Sequence, residues 1–166
     1  MSTFLYVVLA AVVLIPLYVI YLYNRLVRSR NMVEEGWSGI DVQLKRRADL
    51  IPNLVETVKG YASHEKSVLD EVTEARAATS QARSVEGTQQ AADMMTAALG
   101  RLFAVAEAYP DLKADGNFRQ LQSQLAETED MIQKARRYYN GAVRTLNTLV
   151  EQFPSNLVAN QVWALR

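Results

Sequence analysis

Apolar side chains recur at alternating intervals of three and four through Val33, Trp37, Ile40, Leu44, Ile51, Leu54, Val58 and Tyr61, and Arg47 holds one place in that series. This is the period of a helix buried along one face, so the fold has to accommodate a guanidinium within its own seam. The interruption is the run Arg46-Arg47-Ala48-Asp49-Leu50-Ile51-Pro52-Asn53-Leu54-Val55, which also sets a proline inside the helix. A proline there removes a backbone donor, crowds the carbonyl four residues earlier and biases the residue before it away from helical angles, at a cost of about 3 kcal/mol. A kink or short break at Pro52 is therefore expected.

Upstream, no side chain from Ser2 to Asn24 is charged, and Phe4 to Ile15 is apolar on every helical face. The stretch is long enough to cross a hydrocarbon core of about 30 Å. A cleaved signal peptide would show a basic start, a shorter apolar core and a small-residue cleavage site, so residues 1–25 read instead as a transmembrane helix. Pro16 is tolerated in such a helix, and Tyr18, Tyr21 and Tyr23 suit the headgroup boundary. Arg25, Arg28 and Arg30, and further on Lys45, Arg46 and Arg47, follow the span, while no Lys or Arg precedes it. The positive-inside rule then places the N-terminus outside and the body in the cytoplasm.

Residues 26–166 have the size of one domain. The first seam continues through Val68, Val72 and Ala75, with Glu65 as its other polar interruption, so one helix bent near Pro52 is expected to run to about Thr79. Ser84 to Thr88 reads as a turn with Thr88 as the next N-cap. Ala91, Met95, Ala98, Leu102, Val105 and Tyr109 then mark a second helix that stops at Pro110, and Tyr109 to Gly116 reads as a structured connection. The third seam is Phe118, Leu121, Leu125, Thr128, Ile132, Ala135, Tyr139, Ala142, Leu146, Leu149 and Phe153, ended by Pro154 and followed by a short tail. The expected fold is all-α, an N-terminal transmembrane helix continuing into an antiparallel bundle of three or four helices.

Eighteen basic residues balance 18 acidic ones, which gives no global attraction for nucleic acid, and no aromatic-interleaved basic stripe is present. The chain has no cysteine, and His64 is its single histidine. His64 and Glu65 point to different helix faces and lack the Glu-x-x-His pairing of carboxylate metal sites, so no metal is expected. With no glycine-rich phosphate loop and no recognisable nucleophile and base, neither a cofactor nor an enzymatic activity is expected.

Arg46, Arg47, Asp49 and Asn53 admit two readings, a site for an anion or partner carboxylate, or an internal polar network in which Glu129 supplies the carboxylate. Glu129, Gln133, Arg136, Asn140 and Asn147 form a polar stripe on the third helix that is solvated, internal, or a subunit contact. Ala48, Val55, Ala62 and Leu69 flank the first seam and add apolar surface beyond what three helices hide, from which homo-oligomerisation is expected. Arg136, Asn140 and Asn147 would then set subunit register, with Trp37 and Tyr139 as buried anchors within the bundle.

Trp37, the run Arg46 to Val55 and Val58-Lys59-Gly60-Tyr61-Ala62 together resemble the signature of the LemA family of bacterial membrane proteins. Tyr23-Asn24, Ala108 to Lys113, Phe118, Leu121-Gln122, Leu125, Glu129, Ala135-Arg136, Tyr139-Asn140, Asn147 and Phe153-Pro154 follow in that family's order. The resemblance implies a helical bundle tethered to the bacterial cell membrane and brings no catalytic residues with it. One branch is associated with forming membrane vesicles, which makes membrane shaping an expectation by analogy. The reading is thus a membrane-anchored scaffold acting through self-association, its rival an adaptor or accessory subunit for another protein.

Overall fold

A computed structural model describes residues 2–164. Among the described residues there are six helices, α1 (Ser2–Lys59), α2 (Lys66–Gln81), α3 (Val85–Ala106), α4 (Pro110–Ala114), α5 (Gly116–Glu151) and α6 (Ser155–Ala164), and no strand. The protein is all-α. It divides into two compact units, Gly39–Lys134, and Met1–Ser38 with Ala135–Arg166.

In the unit Gly39–Lys134 the expected seam is buried. Ile51, Leu54 and Val58 of α1 join Leu69, Val72 and Ala75 of α2, Met95, Leu99 and Leu102 of α3, and Phe118, Leu121 and Leu125 of α5 in one core. Here α1 and α5 run antiparallel, since Arg47 meets Glu129 while Tyr61 meets Asp115.

The first helix does not reach Thr79. It ends at Lys59, because the amides of Gly60 and Tyr61 close three-residue turns onto Thr57 and Val58 and tighten the chain out of the α-helix. Glycine at position 60 weakens any continuation. Tyr61 is consequently 44 % exposed and Ala62, at 1 %, takes the buried place.

The cap of α3 is Ser84, not Thr88. In extended conformation it accepts the Gly87 amide at 3.0 Å, and Thr88 lies inside the helix. Tyr109 to Gly116 holds the single turn α4, with Pro110 at its start, where its missing N–H costs nothing, and Leu112 fully buried. Asp115 then caps α5 by accepting the Phe118 amide at 2.8 Å.

In the other unit, Leu26 packs with Leu149 of α5 and Ala159 of α6, and Trp37 lies against Tyr139 with ring centroids 5.7 Å apart. Both aromatics are half-buried. A methyl group on Gly36 would come within 3.1 Å of Tyr138 Cδ1 and Tyr139 Cα, so glycine is what lets the backbones approach here. Phe153 is 74 % exposed rather than buried, because α5 ends two residues before it and releases it from the seam. The expected tail is instead α6, whose Ala159 and Val158 have the α5 and α1 side chains of this unit to pack against. The first part of α1 is long and apolar enough to cross a membrane, and its large side chains from Phe4 to Tyr21 are exposed.

Candidate functional site

The run Arg46 to Val55 lies wholly within α1, which passes through Pro52 unbroken. Proline has no N–H to give the carbonyl of Ala48, one helical turn back. A side chain from α2 supplies the donor instead, Arg76 Nε reaching Ala48 O at 3.1 Å. Of the expected kink or short break, the break is absent: the carbonyl that proline orphans is satisfied from outside the helix, while the ring projects from an exposed position.

Arg47 is 3 % exposed. Its Nη1 donates to Glu129 Oε2 at 2.6 Å and to Thr96 Oγ1 at 3.0 Å, and its Nη2 to the Ala92 carbonyl at 3.0 Å. Thr96 itself donates to Ala92 O at 2.9 Å, and Gln133 Nε2 steadies the other oxygen of Glu129 at 2.9 Å. One guanidinium thus ties α1 to α3 and α5, and its planar fork is occupied by acceptors that the fold provides. The Glu129 side chain keeps 36 % exposure, so the carboxylate is partly hydrated while the cation is not.

Of the five residues read as one network, the structure brings Arg47 and Glu129 together and leaves Arg46, Asp49 and Asn53 exposed. Asn53 lines a polar cleft of about 590 Å³ with Asn117, Gln120, Gln124 and Glu56. Thr96 and Arg76 carried no pattern of their own in the sequence. The one signal is the proline, which leaves a carbonyl unpaired that a side chain such as Arg76 can fill. The polar stripe of α5 divides: Glu129 and Gln133 serve the network, Arg136 is partly buried, and Asn140 and Asn147 are exposed.

Two further polar ties join segments of the same unit. The Tyr61 hydroxyl donates to Asp115 Oδ2 at 3.0 Å, and the Tyr109 hydroxyl to Glu65 Oε1 at 2.9 Å. The Phe118 amide, and after it Tyr61, holds the Asp115 carboxyl below its ordinary range. Asp115 in turn raises the Tyr61 phenol, and Glu65 raises that of Tyr109. His64 is exposed, while its neighbour Glu65 is engaged with Tyr109.

Protein LemA of Metamycoplasma hominis is 29 % identical over 144 residues, covering 84 % of this chain and 64 % of that protein. Magnetosome protein MamQ 2 of Paramagnetospirillum magneticum is 25 % identical over 163 residues, covering 82 % of this chain and 60 % of that one. Magnetosome protein MamQ of Magnetospirillum gryphiswaldense is 22 % identical with the same coverage. The chain therefore spans about six-tenths of the length of these curated relatives. The model of the LemA family matches residues 36–164, a region that takes in Arg47, Pro52, Arg76 and Glu129. Matched over most of its length, the chain belongs to the LemA family.

Proposed function

We propose that this protein is a membrane-anchored helical scaffold whose working surface is a contact between copies of itself. The observation that carries this reading is the use made of Arg47. Arg47, the residue of the charged run that lies on the buried seam, is consumed in joining three helices, so this guanidinium serves a fixed shape. The exposed apolar stretch from Phe4 to Tyr21 supplies the anchor. Arg25, Arg28 and Arg30 directly after it favour a cytoplasmic body.

The contact surface is not the flank of the first seam. Ala48, Ala62 and Leu69 are 6 %, 1 % and 3 % exposed, being needed inside the single chain, and Val55 is half-buried. Asn140 and Asn147, seven residues apart on one face of α5, are exposed and suit a register-setting contact, with Arg136 at its border. Confinement to the bilayer raises the effective concentration of copies, so weak contacts suffice. The relatives named as magnetosome proteins are in keeping with a membrane-associated protein, and shaping of the membrane by such an array is part of this proposal.

The polar cleft beside Asn53 favours the second reading, an adaptor that holds a different protein through hydrogen bonds. Electron cryomicroscopy of the full chain reconstituted in vesicles separates the two. Ordered arrays or altered vesicle curvature are expected for a scaffold. Isolated single copies at high surface density would contradict it and leave the adaptor.

A further inference from the structure

Directly after the apolar stretch, Tyr21, Asn24, Arg25 and Arg28 follow one another at the spacing of a single helix face and, with Ser29, line a recess of about 430 Å³. Arg25 and Arg28 are exposed, and neither is ion-paired among the described residues. The third arginine of the group differs, since Arg30 Nε donates to Glu34 Oε1 at 3.0 Å. The neighbouring face of the same turns is buried, with Leu22, Leu26 and Ser29 at 4 %, 1 % and 6 % exposure. Leu26 packs against Leu149 and Ala159, which fixes the rotation of α1 at this level and keeps the arginine side facing outwards.

We infer that Tyr21, Asn24, Arg25 and Arg28 form a binding site for the phosphate group of an anionic phospholipid. The inference rests on the membrane-anchored reading, in which the end of the apolar stretch lies at headgroup depth. A guanidinium offers two parallel donors to a phosphate, and two guanidinium groups one turn apart can share its oxygens. The Asn24 amide and the Tyr21 hydroxyl add neutral hydrogen-bonding groups for the glycerol and ester oxygens, with the tyrosine ring at the apolar boundary. A choline headgroup brings a cation towards the arginines and is disfavoured. Phosphatidylglycerol has no such cation. Each basic residue near an anionic surface contributes about fivefold in attraction to it, so the pair sets an upper bound of about twenty-fivefold on the preference for the anionic lipid.

The test uses the full chain in phosphatidylcholine vesicles containing a minor fraction of spin-labelled phosphatidylglycerol, with the immobilised fraction of label as readout. Resistance to alkaline extraction is measured on the same samples. Wild type is expected to resist extraction and to enrich the label. Arg25→Gln/Arg28→Gln should still resist extraction but lose at least about threefold of the enrichment, while Arg30→Gln, whose charge is already answered by Glu34, keeps most of it. Equal loss in both variants, or none in the double variant, overturns the site and leaves the anchor standing. Extraction of the wild type overturns the anchor and the site with it. Displacement of the label by soluble glycerol phosphate as readily as by unlabelled lipid would show a free phosphate site and contradict the assignment to lipid.

Discussion

Replacing Arg76 by Met removes the donor that Ala48 O receives in place of the N–H missing from Pro52, and keeps most of the aliphatic stem. A hydrogen bond from a charged donor contributes about 1.5–3 kcal/mol when well buried. The Arg76–Ala48 bond is only partly buried, so the expected loss lies below that range, at about 1 kcal/mol. Pro52→Ala should act in the opposite direction, because it restores the N–H and removes a residue up to about 3 kcal/mol worse than alanine in a helix interior. In the Pro52→Ala background the carbonyl is already satisfied, so Arg76→Met should cost almost nothing. The two substitutions should therefore couple by about 1 kcal/mol. Thermal melts of the full chain in mild detergent, followed by circular dichroism, read this as a drop of about 3 °C for Arg76→Met alone and little change beside Pro52→Ala. An equal drop in both backgrounds would refute the claim that Arg76 compensates the proline.

The buried and exposed ends of the Arg47–Glu129 pair predict an asymmetry in the same melts. Glu129→Leu removes the carboxylate that a guanidinium 3 % exposed donates to and should cost about 3 kcal/mol, whereas Arg47→Met leaves a carboxylate that can take up water and should cost clearly less; equal costs would contradict the burial argument. Acid should weaken the fold through Asp115. Its carboxyl is held low when folded, so its contribution is complete above the unfolded range near ~3.9 and is lost as pH falls through the folded value. Melting of Asp115→Asn should show less of that acid dependence. At the other extreme, the raised phenols of Tyr61 and Tyr109 contribute fully below the unfolded value near ~10 and lose that contribution as pH rises through their folded values. Tyr61→Phe/Tyr109→Phe should flatten the alkaline decline in melting temperature.

The apolar seams were legible in the sequence because period alone reveals a buried face. Ile51, Leu54 and Val58, and later Phe118, Leu121 and Leu125, are core residues where spacing placed them. The Arg47–Glu129 contact was legible for a related reason, since a cation on a seam needs an anion and α5 offered one at a suitable position. Helix ends were less legible. Gly60 ends α1 through three-residue closures with no left-handed glycine to announce it, and a serine four residues before Thr88 proved the better-placed cap. Helix α6 is hidden in the sequence because Pro154 reads as a stop, although a proline also suits the entry to a helix. Phe153 was misplaced with it. Ala48, Ala62 and Leu69 looked like surplus surface because a seam drawn one residue wide understates the stripe that a helix buries when it has several neighbours.

Assembly through α5 is the central functional claim, and cysteine crosslinking in the membrane tests it most directly, since the chain has no thiol of its own. Asn140→Cys and Asn147→Cys are introduced singly into the full chain, with Gln89→Cys on the exposed surface of α3 as a control, and mild oxidant is applied to intact membranes. Covalent dimers are expected at positions 140 and 147, far fewer at position 89, with loss of the product when the membranes are dissolved and diluted before oxidation. Monomers at all three positions, or dimers formed as readily at position 89, would contradict it.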